Sequence, residues 1–333
     1  DGSASPETGG IGLKPAISKV LFTGDFFRPS AATFRPTQHE NIRWLAQILR
    51  VPVEMATGLP GREIVWDDRW VNQSTFETAT MRSLYGCAWL EPSIQSWARL
   101  YGLRTLPDTI ERILERIFAE SLVIGFELPP VLMHFFLRRE IPFVDCALSP
   151  VRFMDDLLIS VSTSAKMASD VLRSYQVPVA MQKLVAGIIS GHSAKAFPKP
   201  PRPNSLLILL QTRFDKAVIV QDRFVAIEDY LEDLQRVAKS YSNILIKTHP
   251  LELNSRSFEL LQKAIPGAVK TDENFYRLIS HPNVTGVAAL SSSCLHEATI
   301  FGKRQHALMP RVNFSKSAIG HEQADVGDAI LAP

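Results

Sequence analysis

The 333-residue sequence predicts an α/β protein of two domains, each built on a parallel sheet. Three observations carry that expectation. Short apolar runs closed by turn residues alternate with amphipathic helical stretches, the rhythm of strand–helix–strand units. The segment Phe197 to Asn204 (FPKPPRPN) holds four prolines in eight residues, which stiffens the chain and removes backbone donors. Beyond that break the same alternation starts again.

Ser18 to Gly24 (SKVLFTG) reads as a buried strand ending at a turn. Thr37, with Glu40 three residues on, forms a capping box ahead of Trp44, Leu45, Ile48 and Leu49 on one helical face. Asp108 and Glu111 repeat this signal before Ile110, Ile113, Leu114 and Ile117. Leu122 to Phe126 is a short apolar strand with Glu127 directly after it, and Pro129–Pro130 suit a helix start. Ile141 to Val144 is the next strand, closed by Asp145. After the proline segment, strands are expected at 206–210, 244–247 and 284–289. Helices are expected at 226–241, near 255–265, at 274–280 and at 294–301, the last stopped by Gly302. The expected division is a lead-in over 1–15, a first domain over 16–196, a linker over 197–204 and a second domain over 205–333.

Bulk properties narrow the function. A net charge of +2 gives no polyelectrolyte argument for nucleic acid, and Lys199 and Arg202 are too few for a basic patch. Cys87, Cys146 and Cys294 show neither metal-ligand nor disulfide spacing, so a reducing cytoplasm is the expected compartment. No apolar run reaches the ~18 residues of a membrane span, and the polar first dozen residues lack signal-peptide order. The doublets Asp67–Asp68 and Asp155–Asp156 have no companion ligands at metal spacing, so no metal is expected.

Parallel sheets bind ligands at the carboxyl ends of their strands. Two such ends stand out in the second half. Lys247-Thr248-His249-Pro250 offers a point cation and a directional N–H suited to a phosphate, or a plain turn-capping histidine. Ser291-Ser292-Ser293 offers hydroxyls at a helix start, with Glu297 one turn in as an acceptor for ribose hydroxyls. The bland alternative there is a serine N-cap. In the first half Asp25, Arg28, Glu127 and Asp145 follow strands, where a carboxylate can act as nucleophile or acid/base. Arg152 could pair with an acidic sugar or be an ordinary surface arginine.

The order LLILLQTRFDKA, NILIKTHPLE, SSSCLHEATIFGKRQ resembles the C-terminal domain of bacterial capsule and lipopolysaccharide β-Kdo transferases. The matching residues are Gln211, Asp215, Lys247, His249, Pro250, Ser291 to Ser293, Glu297 and Ala298. Sialyltransferases with a CMP donor carry a similar His-Pro and serine pattern. FVDCALSPVRFMDDL resembles the segment that holds the family's catalytic aspartate, which places Asp145 there. Val144 and Cys146 depart from the family's Glu-Asp-Gly, as suits the retaining enzymes of O-antigen assembly. The resemblance covers roughly residues 141–310.

It implies a GT-B arrangement, two Rossmann-like domains across a cleft, with CMP on the C-terminal one. It implies no cofactor and no metal, since protein donors would stabilise the leaving phosphate. The reaction expected is retaining transfer of Kdo from CMP-Kdo to a glycan or lipid-linked glycan, with Asp145 as nucleophile and Glu127 as base. Gln211, Lys247, His249, the serines and Glu297 would hold the donor; Asp25, Arg28 and Arg152 would contact substrate. The alternatives are an inverting sialyltransferase of the CMP-sialic-acid type, a non-catalytic nucleotide-sugar-binding domain, and an unrelated α/β binding protein. Peripheral attachment to the inner membrane and membership of a longer polysaccharide-assembly protein are compatible with this reading.

Overall fold

The computed structural model describes residues 16–29, 38–66, 74–165, 168–194, 200–252, 256–309 and 325–330. The lead-in, Thr37, the Asp67–Asp68 doublet and residues 197–199 of the proline segment lie outside them.

The first unit runs β1 (Lys19–Gly24), α1 (Gln38–Thr57), β2 (Gly61–Glu63), α2 (Thr78–Cys87), α3 (Ile94–Tyr101), α4 (Asp108–Phe118), β3 (Ser121–Phe126), α5 (Pro130–Arg138), β4 (Phe143–Leu148), β5 (Leu158–Thr163), α6 (Ala168–Ser174) and α7 (Val179–Ala194). The second runs β6 (Ser205–Leu209), the hairpin β7 (Ile219–Val220) and β8 (Arg223–Phe224), α8 (Leu231–Ala238), β9 (Asn243–Lys247), α9 (Arg256–Ala264), β10 (Val269–Lys270), α10 (Phe275–Ser280), β11 (Val284–Ala289), α11 (Cys294–Ile300) and β12 (Arg304–Ala307). A last strand, β13 (Asp325–Ile330), follows.

The second sheet, in the order β10-β9-β6-β11-β12, is parallel throughout. The first, β13-β5-β4-β3-β1-β2, is parallel from β2 to β4 and closes with β5 and β13 antiparallel. The central parallel strands of both sheets, β1 and β3 in the first and β6 and β11 in the second, are buried on both faces. Alternation decides which side each residue serves. Leu21, Val123 and Phe143 face a large aromatic cluster with Phe26, Trp97, Phe118, Phe135 and Phe136. Val20, Phe22, Ile124, Phe126 and Cys146 face Ile42, Leu45 and Ala46 of α1 on the other side. In the second unit Leu206, Ile208 and Ile246 pack towards Leu234 and Leu261, while Leu207, Val287 and Ala289 pack towards Leu278, Leu295 and Ala298.

Several expected boundaries move. Strand β4 continues to Leu148, so Asp145 lies inside it rather than beyond its end. Pro107 precedes α4 without a side-chain cap; Asp108 is a first-turn acid, and Glu111 instead binds Arg138 and Arg139. The helix expected at 226–241 divides into a 3-10 turn, Ile227–Tyr230, and α8, because the Asp229 carboxylate accepts the Ala226 N–H at 2.9 Å. The chain also crosses between the units. Helix α7 packs against α10 and α11, Ile219 enters the aromatic cluster of the first unit, and β13 pairs with β5 in the first sheet, not with the second.

Gly102, at the end of α3, meets the β7–β8 turn so closely that a Cβ there would lie 1.5 Å from the Gln221 carbonyl oxygen. Gly187 of α7 has open space around its Cβ position. Thermal denaturation is therefore expected to show Gly102→Ala destabilised by roughly 1–3 kcal/mol. Gly187→Ala should be neutral or stabilised by up to about 1 kcal/mol.

Candidate functional site

The carboxyl ends of β1, β3 and β4 gather the acidic residues of the first unit. In register, Thr23 of β1 faces Gly125 of β3, and Gly125 faces Asp145 of β4. Asp145 therefore shares the sheet face of Phe143, two residues earlier, which packs into the aromatic cluster. It is 6 % exposed, and its Oδ1 accepts the Leu128 N–H at 2.8 Å. Burial pushes its pKa up to about 7, with the charge of Glu127 adding to the rise; the Leu128 hydrogen bond and Lys216 act in opposition.

Asp25 follows β1 and is 4 % exposed. Trp97 Nε1 donates to its Oδ2 at 2.7 Å, while its Oδ1 has no hydrogen-bond partner. Burial raises this carboxyl to about 6, against the pull of Trp97, Arg28 and Lys216. Arg28 lies 4.7 Å over the Trp97 ring and donates to the Phe214 carbonyl of the second unit at 3.0 Å. Glu127 takes a left-handed backbone conformation, φ +50°, a strained choice for a residue that is neither glycine nor asparagine. Its N–H bonds the Cys146 carbonyl, and its carboxylate binds Lys216 Nζ at 2.7 Å. Tyr101 of α3 stands among these groups: burial raises its phenol well above the ordinary value, and Asp25, Glu127, Asp215 and Asp145 raise it further.

The candidate residues of the second unit are held more tightly than their sequence suggests. Ser291 donates from Oγ to the Ala217 carbonyl, and its N–H bonds Gln211 Oε1 at 2.9 Å. Ser292 Oγ accepts the Cys294 N–H at 3.3 Å, and exposed Ser293 caps α11 without a side-chain bond. Lys247 Nζ donates to the Glu273 carbonyl at 2.8 Å. His249 Nδ1 accepts the Leu251 N–H at 3.2 Å, the turn-capping geometry. Glu297 is 1 % exposed, and its Oε1 accepts both the Arg152 N–H at 2.7 Å and the Tyr276 hydroxyl at 2.9 Å. Burial raises its carboxyl. It ties the loop after β4 to the second unit instead of pointing its Oε1 at a ribose. Arg152 is exposed, and its backbone N–H makes that tie.

The structure thus brings Asp25, Arg28, Glu127 and Asp145 to one end of the first sheet. Gln211 and Ser291 come together on the second. Lys247 and His249 sit at the end of β9, which pairs directly with β6. Lys216, Trp97, Tyr101 and Tyr276 are the contributors that sequence reasoning did not single out. Lys216 had one signal, its place next to Asp215 in the stretch LLILLQTRFDKA. The others are aromatic residues on short helices of mixed polarity, and nothing local distinguishes them from core.

No protein-family model matches the sequence. No curated protein matches it either. Among solved structures, one similar chain is described as Thermosulfurimonas dismutans KpsC, beta Kdo 2,7 transferase. It has 10 % identity and a TM-score of 0.42, over 87 % of this chain and 80 % of that one. A second is described as the beta Kdo 2,4 transferase of the same KpsC, at 15 % identity and a TM-score of 0.38, over 59 % of this chain and 75 % of that one. A third is UDP-GlcNAc 2-epimerase from Neisseria meningitidis bound to UDP-GlcNAc, at 12 % identity and a TM-score of 0.34, over 87 % and 82 %. These likenesses are weak, and the chemistry of the site rests on its own residues. Among the described residues no helix is long and apolar enough to cross a membrane.

The raised carboxyl of Asp145 has a direct consequence for stability. Its pKa rises from 3.8 to about 7 on folding, so between those values the folded chain holds a proton that the unfolded chain releases. That contribution lowers stability as pH rises across the window and is constant above it. Asp145→Asn keeps the acceptor for Leu128 and removes the titration. Denaturant unfolding is expected to find it more stable than the wild type by roughly 2–4 kcal/mol at pH 8, with the difference vanishing near pH 4.

Proposed function

We propose that this protein is a glycosyltransferase that moves Kdo, or a related acid sugar, from a CMP donor to a glycan acceptor. The observation that carries the reading is the convergence of Asp25, Glu127 and Asp145 at the carboxyl end of one parallel sheet, with Lys216 of the facing unit in contact with Glu127. Carboxylates so placed can form and discharge a glycosyl ester. The donor identity draws on the sequence pattern Gln211, Lys247-Thr248-His249-Pro250 and Ser291-Ser292-Ser293, whose Gln211 and Ser291 are hydrogen-bonded to each other.

The mechanism is double displacement. Ionised Asp145 attacks the anomeric carbon as the bond to the CMP phosphate breaks, and CMP leaves with the electron pair. An acceptor hydroxyl then attacks the same carbon, its proton passes to Glu127, and the ester bond breaks to return the Asp145 carboxylate. Lys247 and His249 stabilise the leaving phosphate. Lys247 keeps two further N–H directions beyond its bond to Glu273, since an ammonium carries three donors. The Leu251 N–H bonds Nδ1 of His249 at 3.2 Å and fixes the ring in the turn after β9. The acceptor, free or lipid-linked, approaches Asp25, Arg28 and Arg152. The reaction belongs in the cytoplasm, at or near the inner membrane, and fits one module of a longer polysaccharide-assembly protein.

A second reading has its own support. A carboxyl with a pKa of about 7 suits proton transfer at neutral pH, the role Asp145 would have as general base in an inverting sialyltransferase. The anomeric configuration of the product, read by NMR, separates the two.

Intact-mass spectrometry after mixing with CMP-Kdo is expected to show one added Kdo residue on the wild type and none on Asp145→Ala. Full turnover by Asp145→Ala would sink the nucleophile assignment. In a thermal-shift series of CMP, UMP, UDP and GDP, CMP should raise the melting temperature most, because a bound nucleotide stabilises by mass action. A response to UDP without one to CMP would overturn the donor assignment.

A further inference from the structure

We propose that Lys216 is a positioning residue for the carboxylates of the first unit, reaching across from the second unit to fix Glu127 beside Asp145. The catalytic part of this inference rests on the transferase reading; the electrostatic part does not.

The lysine is carried on a single 3-10 turn, Lys216–Val218, that is held from both ends. Asp215 caps it, its Oδ1 accepting the Ala217 N–H at 2.9 Å. From the other side the Ser291 hydroxyl donates to the Ala217 carbonyl, and Ser291 is itself held by Gln211. The serine turn of the candidate donor site is therefore hydrogen-bonded to the backbone that places Lys216. From there the side chain reaches Glu127 at 2.7 Å, with both side chains largely buried. Burial matters because an exposed lysine–glutamate pair would count for little. Here the lysine and glutamate side chains are 25 % and 17 % exposed, so the pair is better shielded than one on the open surface.

The groups around Asp145 single Lys216 out. Glu127 follows β3, Cys146 is its neighbour on β4, and the non-titrating Ser162 pairs with it from β5. Tyr101 of α3 feels its charge, together with those of Asp25, Glu127 and Asp215. The Cys146 thiol is pushed up by burial and then by Asp145. All of these are neutral or acidic. Arg28 acts on Asp25, whereas Lys216 is the cation that acts on Asp25 and Asp145 together. A shift of the 3-10 turn would change Glu127 and Asp145 at once, which makes the nucleophile of the first unit sensitive to the serine turn of the second.

The test compares Lys216→Met, which keeps length without charge, with Lys216→Arg, which keeps charge. Carbon-13 NMR of aspartate-labelled protein, with the Asp145 signal assigned through Asp145→Asn, gives the titration midpoint without any substrate. In Lys216→Met this midpoint is expected to rise by about one unit. The acidic limb of the kcat–pH profile should move with it, costing about tenfold in kcat on that limb. Lys216→Arg should restore both. A wild-type midpoint in a Lys216→Met variant that melts like the wild type would overturn the proposal, leaving a plain ion pair. If Lys216→Met does not fold, Lys216→Gln gives the same reading. A wild type inert towards CMP-Kdo would count against the transferase reading alone, since the titration still decides the role of Lys216.

Discussion

Burying carboxylates against an apolar sheet is unfavourable unless each finds a partner, and the site end of this molecule is arranged around meeting that demand. Asp145 takes a backbone N–H from the loop after β3, Asp25 takes the indole N–H of Trp97, and Glu127 takes a lysine from the other unit. The compensation is incomplete. Asp25 keeps an oxygen without a partner, and both aspartates stay well above the ordinary carboxylate range. The two aspartates of a site compensated in this way change protonation near neutral pH. It is also an unfavourable place for charge, so the surrounding aromatic cluster has to hold it.

That cluster explains why the acids are where they are. Phe26, Trp97, Phe118, Phe135 and Phe136 cover one face of the first sheet, and the acids stand at its carboxyl end. Gly125 lies between Thr23 and Asp145 in the sheet row, and a side chain there would collide with Leu128, whose N–H holds Asp145. One small residue thus keeps room for the loop that satisfies the buried carboxylate.

Much of this was legible in the sequence, because apolar alternation and strand-end position are local properties. The strands SKVLFTG and LVIGF, and those of the second unit, occur where their patterning puts them. Local pattern puts Asp145 just past its strand, because an acidic residue normally ends one. It does not end this one, since its carboxylate is satisfied by a residue 17 positions away and its neighbours Cys146 and Leu148 continue the pleat. Glu297 and Ser291 were harder still. Their partners lie 145 and 74 residues away in the chain, and no local pattern encodes a contact of that span. Helix α7 is apolar nearly all round, so periodicity gave no face to read. It packs on helices of the unit that follows it.

This last arrangement bears on how the molecule could be rebuilt. Helix α7 precedes the proline segment yet lies on α10 and α11, and the β7–β8 hairpin follows it yet sends Ile219 into the earlier core. A chimaera cut at the prolines, exchanging the second half for another, would strip a helix from one half and a hairpin from the other. A working exchange has to take residues 179–194 with the incoming half and match the hairpin to the resident core. The practical seam for recombination is therefore threaded through the packing, away from the proline segment.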